Sequence, residues 1–274
     1  MNIKLVMVGL FSIIIPISVS ASFFSNSEEF KCGRDDTVNA LKSAIFDKAS
    51  AILETEFITT PDVFYQPKEN YRKVLKEIPI EIKNVSTTES KDIEVSCTAD
   101  VSIKTPANAI DVVTIVPKFF ETLVKYNYSF NIGNIIRSDY QYGVKLADNK
   151  KDLIVKIDSD IAETLATAAW LAVSKDNLIR DINKEKIDVA KLNYEKADAE
   201  LNMIWKGLPD GIRMTLSSSQ ISWVKEKTVK CGKISDANHM DSSTDIRIKI
   251  FQCQEDMTTK RIYFLSNTSG ELVN

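Results

Sequence analysis

The chain has 274 residues, of which 44% are hydrophobic and 27% are charged, with 8 glycines and 7 prolines. This composition is typical of a globular protein with one large or two modest domains, and it excludes collagen-like, low-complexity and disordered chains. A single histidine, His239, excludes zinc sites built from several histidines, and a formal charge of −3 excludes a general attraction to nucleic acid. We therefore expect no catalytic residues, no metal and no cofactor.

Residues 1–21 have the pattern of a Sec-type signal peptide. Lys4 precedes an apolar run from Leu5 to Ile17, and Val19 and Ala21 are small residues at the −3 and −1 positions of a cleavage site. We expect cleavage after Ala21 and a periplasmic or secreted protein. The alternative is an uncleaved membrane anchor, for which the apolar run is short. No later segment is apolar enough to span a membrane, so we expect no stable span after cleavage.

The four cysteines all follow this segment: Cys32, Cys97, Cys231 and Cys253. An even number of cysteines in an exported protein is typical of disulfides, and four cysteines allow three pairings. Four buried free thiols are the alternative.

Residues 35–57 are predicted to form a helix, because apolar side chains recur there at helical spacing. The stripe consists of Val38, Leu41, Ile45, Ala49 and Ile52, and the candidate N-cap residues are Asp35, Asp36 and Thr37. Residues 93–103 predict a strand, since six apolar residues alternate with polar ones. Cys97 lies on the apolar face of this strand and Cys32 comes just before the helix. We therefore favour a disulfide between these two cysteines.

Further alternating segments predict an antiparallel sheet after the helix. One strand begins at Ile80, with the polar tract 84–92 as its hairpin turn, and others are expected near residues 126–132, 140–144 and 153–157. Together they predict an α+β domain over residues 22–158, with a meander sheet curled like that of cystatin or NTF2. This likeness concerns the fold alone.

From about Ser159 the apolar spacing becomes helical, which predicts an all-α domain over residues 159–274. Helices are expected over residues 161–172, 178–208 and 212–230, followed by a polar loop at 232–245. The last segment, residues 250–265, begins with a pattern that fits both a strand and a helix. Residues 22–190 carry 22 Lys and Arg against 27 Asp and Glu, a net charge of −5, whereas residues 191–274 carry 12 against 11.

Residues 194–265 contain a spaced set of side chains that resembles a known family. The matching positions are Asp198, Leu201, Asn202, Gln220, Trp223, Lys227, Thr258 and Arg261. With Cys231 and Cys253 at the family's spacing, the region is similar to LprI-like lysozyme inhibitors, which are small cysteine-bridged helical domains of exported bacterial proteins. Lys227 stands where the family usually has arginine. The resemblance implies an envelope protein that binds and blocks a lysozyme or another peptidoglycan hydrolase.

A Cys231–Cys253 disulfide would join two helices of this region and close the polar loop between them. We interpret most motif residues as helix packing, and Asp198 and Arg261 as a pair within the fold rather than contacts to a partner. The candidate partner contacts are in the closed loop: Ser235, Asp236, His239 and Asp241. A solvated connection without function is the alternative for this loop.

Two other functions are weighed against inhibition. The first is a non-inhibitory envelope interaction module, in which the helical domain is a scaffold and the α+β domain binds an unknown partner. The second is a cell-wall hydrolase, which the sequence disfavours because it contains no nucleophile elbow, P-loop or metal-binding run.

Overall fold

The computed structural model describes residues 30–149, 151–239 and 241–271. It confirms an α+β protein with an antiparallel sheet, a mostly helical C-terminal region and two disulfides. The signal peptide predicted at residues 1–21 and its cleavage site lie outside the described residues. The chain divides into two compact units, the first ending at Asn177 and the second beginning at Leu178. The domain boundary drawn from the sequence, at residues 158–159, stays a prediction.

The first unit combines a five-stranded antiparallel sheet with several helices. Its helices are α1 (Asp35–Thr59), α2 (Lys68–Glu77), α3 (Ala107–Ile115), α4 (Lys118–Leu123) and the beginning of α5 (Asp160–Gly207). Its strands are β1 (Ile80–Lys91), β2 (Glu94–Lys104), β3 (Ser129–Asn131), β4 (Asn134–Leu146) and β5 (Leu153–Lys156). The strand order is β1-β2-β4-β3, and β5 pairs with β4 as well. A short 3₁₀ helix, Pro61–Val63, follows α1.

Strand β2 supplies the inner face of the sheet, as its alternating sequence predicts. The side chains that point inward are buried: Val95, Cys97, Ala99, Val101 and Ile103. The sixth apolar residue, Ile93, lies in the turn before the strand and is exposed. Helix α1 begins at Asp35, close to where its sequence pattern begins, and Cys32 just before it forms a disulfide with Cys97. The bridge thus attaches the start of α1 to the middle of the sheet.

Two predictions about the sheet are wrong. The polar tract 84–92 is not a hairpin turn, because β1 continues to Lys91 and the turn occupies Asp92 and Ile93. Strand β1 is an edge strand with most side chains exposed, so polar residues are tolerated along it. The strand expected over residues 126–132 is reduced to Ser129–Asn131, and Ile132 has a positive φ of 48° in the following turn.

One carboxylate stabilises two irregular positions of the sheet. Asn84 and Asp139, on strands β1 and β4, have positive φ angles of 52° and 53°, near register shifts in the pairing with β2. Asp100 of β2 lies between these strands, and it accepts hydrogen bonds from the side-chain amide of Asn84 at 2.7 Å and the backbone amide of Asp139 at 3.1 Å. The irregularities therefore share a single acceptor.

The first part of α5 lies in the core of the first unit. Its buried residues cover several faces of the helix: Ile161, Ala162, Leu165, Ala166, Ala168, Ala169, Trp170, Leu171 and Ala172. The Trp170 indole N–H donates to the carbonyl of Val63 at 3.0 Å, and its ring contacts Phe119 edge to face. The hydroxyl of Ser174 bonds to the hydroxyl of Tyr71 on α2 at 3.1 Å. Helix α2, which the sequence analysis did not predict, is thereby attached to α5.

The second unit consists of helices alone. Besides the later part of α5 it contains α6 (Asp210–Cys231), α7 (Ile234–Asn238) and α8 (Thr244–Glu271). The two helices expected over residues 161–172 and 178–208 are one continuous helix. The ambiguous start of the last segment is helical, and the expected polar loop contains the short helix α7. No helix in the described part of the chain has the length and apolar character needed to cross a membrane.

Two apolar clusters hold the second unit together. The loop-side cluster has a core of Ile187, Ala190, Ala237, Ile250 and Phe251. The turn-side cluster has a core of Leu201, Leu208 and Leu265, with Trp205, Trp223 and other half-buried residues packed against it. The α6–α8 disulfide, Cys231–Cys253, closes a segment of 22 residues that includes α7.

We expect the double substitution Cys32→Ala/Cys97→Ala to lower the free energy of unfolding of the first unit by about 4 kcal/mol, because the bridge spans 65 residues. Urea denaturation followed by circular dichroism measures this change. The unsubstituted protein in reductant should lose as much stability from this unit, and equal stability of the oxidised protein and the variant would contradict the prediction.

Candidate functional site

The motif residues of the second unit meet in one polar layer, which we define as Asp198, Asn202, Gln220, Trp223, Lys227, Thr258 and Arg261. They come from α5, α6 and α8. Along α5 and α8, Asp198, Thr258 and Arg261 lie between the residues of the loop-side and the turn-side clusters, and Asn202 directly follows Leu201. The eighth motif residue, Leu201, belongs to the turn-side cluster instead. The spacing that marks the motif in sequence is therefore the spacing of a layer shared by three helices.

Lys227 is the central cation of the polar layer and is only 7% exposed. Its ammonium donates a hydrogen bond to the hydroxyl of Thr258 at 3.1 Å, and that hydroxyl donates to the carbonyl of Gln254 at 2.6 Å. The same ammonium lies 4.9 Å from the centre of the Trp223 ring and 5.6 Å from that of Tyr194, within the range of cation–π attraction. A charge in this apolar position is thus surrounded by a hydroxyl and two aromatic rings.

Arg261 of α8 is the second buried cation, at 9% exposure. Its Nε donates to the side-chain oxygen of Gln220 at 2.8 Å, and its Nη2 donates to the hydroxyl of Ser219 at 3.1 Å. The guanidinium carbon lies 5.7 Å from the Trp223 ring centre and 4.6 Å from that of Phe264. Trp223 therefore contacts both cations, and its contact with Arg261 joins α6 to α8.

The proposed pairing of Asp198 with Arg261 is wrong. The Asp198 carboxylate lies 3.6 Å from the Lys227 ammonium and accepts a hydrogen bond from the Asn202 amide at 3.1 Å. The bonds of Arg261 go to neutral acceptors on α6. A lysine at position 227 occupies the space nearest to Asp198, so the carboxylate pairs with the cation of α6 rather than that of α8.

Burial shifts the pKa values of the two cations in the polar layer. It lowers the pKa of the Lys227 ammonium, and the Asp198 carboxylate opposes this effect without cancelling it. Burial also lowers the pKa of the Arg261 guanidinium. Both groups are enclosed by side chains of their own unit, so they have little surface to offer a partner. The polar layer is suited to fix the helices and unsuited to bind a substrate.

The loop after α6 is exposed and is held at both ends. Besides the Cys231–Cys253 bridge, the Gln254 amide donates to the carbonyl of Gly232 at 2.6 Å, and the Arg247 Nε donates to the carbonyl of Ala237 at 2.8 Å. Ala237 of α7 is fully buried in the loop-side cluster. The backbone of the loop is therefore attached at several points while most of its polar side chains stay in solvent.

The four candidate contact residues all lie in this loop and outside the polar layer. The Ser235 hydroxyl donates to the Asp236 carboxylate at 3.1 Å, and His239 Nδ1 lies 3.4 Å from the Asp241 carboxylate. The side chains of His239 and Asp241 are 66% and 89% exposed. In the described ranges, no group of three or more His, Cys, Asp or Glu residues is arranged to hold a metal ion.

The C-terminal region also matches a known protein family. Residues 181–265 match the family described as lysozyme inhibitor LprI. The match confirms the resemblance seen in the motif residues, and it begins earlier on α5. It covers the C-terminal region only. No curated protein and no solved structure matches the chain, so the likeness of the first unit to cystatin or NTF2 stays a prediction.

Within the LprI region, some residues of structural importance were not predicted. Ser219 completes the bonding of Arg261, while Gln254 and Arg247 hold the loop. All three act through hydrogen bonds between elements. Helical periodicity carries no signal for such bonds, because it shows which face of a helix is buried and not which acceptor lies opposite.

We expect the stability of the LprI region to depend on the titration of Lys227. Burial lowers the pKa of Lys227 in the folded protein. At pH values between that lowered pKa and about 10.4, the ordinary pKa of a lysine, the unfolded chain therefore binds more protons than the folded chain. The free energy of unfolding therefore gains a contribution that rises with pH across this range. The variant Lys227→Met lacks it, so the unsubstituted protein should gain stability relative to the variant as the pH rises.

Urea denaturation of both proteins at several values of pH measures this difference. Ionisation of the tyrosines far from Lys227 affects both proteins alike and cancels in the comparison, and the measurements stay below the raised pKa of the neighbouring Tyr194. The control is Lys225→Met, at an exposed position of the same helix, which should follow the unsubstituted protein at every pH. Parallel stability profiles for Lys227→Met and the unsubstituted protein would contradict the prediction.

Proposed function

We propose that this protein is an exported bacterial inhibitor that binds a lysozyme or another peptidoglycan-cleaving enzyme through its second unit. The match of residues 181–265 to the LprI family carries this proposal. At the level of the family, the match suggests a function like that of a lysozyme inhibitor. An inhibitor acts by binding, and we therefore expect the protein itself not to be an enzyme.

Burial decides which residues are candidates for contact with the enzyme. Lys227, Thr258 and Arg261 are at most 9% exposed, so they are available to a partner only if the helices separate. The loop that contains Ser235 and His239 is exposed, and its attachment lowers the entropy lost on binding. We expect this loop to supply the contacts.

The side chains of the loop suit the cleft of a glycosidase. Such enzymes use a pair of carboxyl groups, one of which is protonated as the general acid. Hydroxyl and imidazole groups such as those of Ser235 and His239 can donate hydrogen bonds to a carboxylate, and the carboxylates of Asp236 and Asp241 can accept one from a carboxylic acid. A loop with both kinds of group can occupy the cleft without undergoing hydrolysis.

A turbidity assay of cell-wall lysis tests the proposal, with purified oxidised protein added to lysozymes of the main structural types. We expect loss of lysis for at least one of them. The variant His239→Ala/Asp241→Ala should inhibit about tenfold or more weakly, because loop contacts at the centre of an interface contribute most of its binding energy. Both side chains are exposed, so the variant should fold normally.

The matched control is Lys184→Ala/Asp188→Ala, which removes an exposed ion pair on α5 and should leave inhibition unchanged. If lysis by every lysozyme continues at a large molar excess of the protein, inhibition of lysozymes is ruled out as the function. If inhibition occurs and the loop variant retains all of it, the loop is not the contact surface.

The location of the protein follows the same proposal. Two disulfides and the family match together suggest an extracytoplasmic protein. A Sec-type signal peptide cleaved after Ala21 would deliver it to the periplasm or the medium. Intact-mass analysis of protein isolated from the envelope should give the mass of a chain that begins at Ser22 with two disulfides. A chain that retains residues 1–21 would contradict the cleavage.

A further inference from the structure

The first unit contains an open cleft of about 460 Å³ beside the beginning of α3, which we call the α3 cleft. Its volume is in the range of pockets that bind small molecules. The end of α2 forms an apolar wall with Val74 and Ile78, and Ala172 of α5 adds to it. Few of the residues that line the cleft are polar. They include Glu77, Lys104 and Thr105, and nothing in the LprI region contributes to the cleft.

Thr105 carries a hydroxyl with no hydrogen-bond partner in the described part of the chain. The residue is only 4% exposed, and its backbone amide is already bonded to the carbonyl of Gly133 at 2.8 Å. Leaving a buried hydroxyl unpaired is costly, and most such groups in folded proteins have a partner. Because Thr105 lines the α3 cleft, a ligand bound there is the natural source of this partner.

The N-terminus of α3 adds two further donors. This helix of nine residues begins after Pro106, and no side chain caps it. The backbone amides of Ala107 and Asn108 have no acceptor among the described residues, and both residues line the cleft. Free amides at the first turn of a helix carry partial positive charge and bind carboxylates and other anions. Together with the Thr105 hydroxyl, they form a set of donors for an acidic group.

The charged residues of the cleft have opposite signs. Lys104 and Glu77 both line it and are exposed, and neither forms an ion pair with another described residue. The charge of Lys175 nearby is already matched by Asp111, with which it forms an ion pair. A simple anion would be attracted by Lys104 and repelled by Glu77. A molecule with one positive and one negative group would satisfy both.

We propose that the α3 cleft binds a small zwitterion with an apolar body, of the class of free amino acids and short peptides. The carboxylate of the ligand accepts hydrogen bonds from the first amides of α3 and from the Thr105 hydroxyl, near the Lys104 ammonium. The ammonium of the ligand pairs with Glu77, and its apolar body packs against Val74 and Ile78. This site belongs to the first unit and does not depend on the proposed inhibition of lysozymes.

Calorimetric titration of the purified oxidised protein with L-leucine and with alanyl-leucine tests the proposal. We expect at least one of them to bind at a single site. N-acetyl-leucine lacks the ammonium and leucinamide lacks the carboxylate, so each should bind about tenfold more weakly than leucine when leucine binds. Absence of binding by both probes at concentrations up to about 10 mM would overturn the proposal. Equal affinity for N-acetyl-leucine and leucine would overturn the zwitterion assignment.

The variant Thr105→Val isolates the hydroxyl. It should bind the ligand about tenfold more weakly, while its unfolding temperature without ligand should be equal to or higher than that of the unsubstituted protein. If the hydroxyl had a purely structural role, the variant would have a lower unfolding temperature and an unchanged affinity for the ligand. The control is Thr114→Val on α3. The Thr114 hydroxyl donates to the carbonyl of Ile110, and Thr114 does not line the cleft. Unchanged affinity in Thr105→Val would overturn the proposed role of the hydroxyl.

The variant Glu77→Gln isolates the contact to the ligand ammonium. It should weaken the binding of leucine, whose ammonium loses its partner. It should not weaken the binding of N-acetyl-leucine, and it should strengthen it to the extent that Glu77 repels this anion. Glu69→Gln, at an exposed position of α2 away from the cleft, should bind both molecules as the unsubstituted protein does. An equal loss of affinity for leucine and N-acetyl-leucine in Glu77→Gln would contradict the assignment.

Discussion

The architecture of the second unit depends on burying two cations among three helices. Lys227 and Arg261 lose most of their contact with water, and a buried charge is costly unless hydrogen bonds and counter-charges surround it. Asp198, Thr258 and Gln220 supply these partners from different helices. Each bond depends on the rotation and register of the helices, and sliding α8 by a turn would separate Thr258 from Lys227 and Arg261 from Gln220. We infer that the polar layer selects one packing, which the two apolar clusters would not do alone.

This constraint separates the family motif from the contact surface. The motif residues hold α5, α6 and α8 together, so their presence in a sequence marks the fold of the region. The segment between α6 and α8 contributes little to this packing beyond the buried Ala237, so its exposed side chains can change without disrupting the fold. Attachment by the disulfide, Gln254 and Arg247 means that a change of side chain there alters recognition more than stability.

Much of the fold is predictable from local patterns, and the failures have physical causes. The alternation ending at Ile103 and the spacing around Leu41 each match a buried face, so β2 and α1 appear where the sequence predicts them. Strand β1 is longer than its sequence predicts because an edge strand needs no apolar alternation, and Ile132 continues an alternating pattern although it adopts a positive φ in a turn. The sequence identifies the motif residues, whereas it does not predict which of them pair with one another. The partner of Asp198 depends on how α6 is rotated, and a linear pattern does not contain that rotation.

The charge distribution of the chain is consistent with the proposed contact surface when the distance of each charge from the loop is considered. Lysozymes are commonly cationic, and the net charge of −5 lies in residues 22–190, whereas residues 191–274 carry a net charge of +1. At physiological salt, however, the screening length is about 8 Å, so charges far from a contact add little to binding. The charges that matter are those of the loop itself. Between α6 and α8 these are Lys233, Asp236 and Asp241, a local net charge of −1 with both carboxylates exposed. The near-neutral total of the second unit therefore includes a locally acidic loop, which suits the cationic surface of a lysozyme.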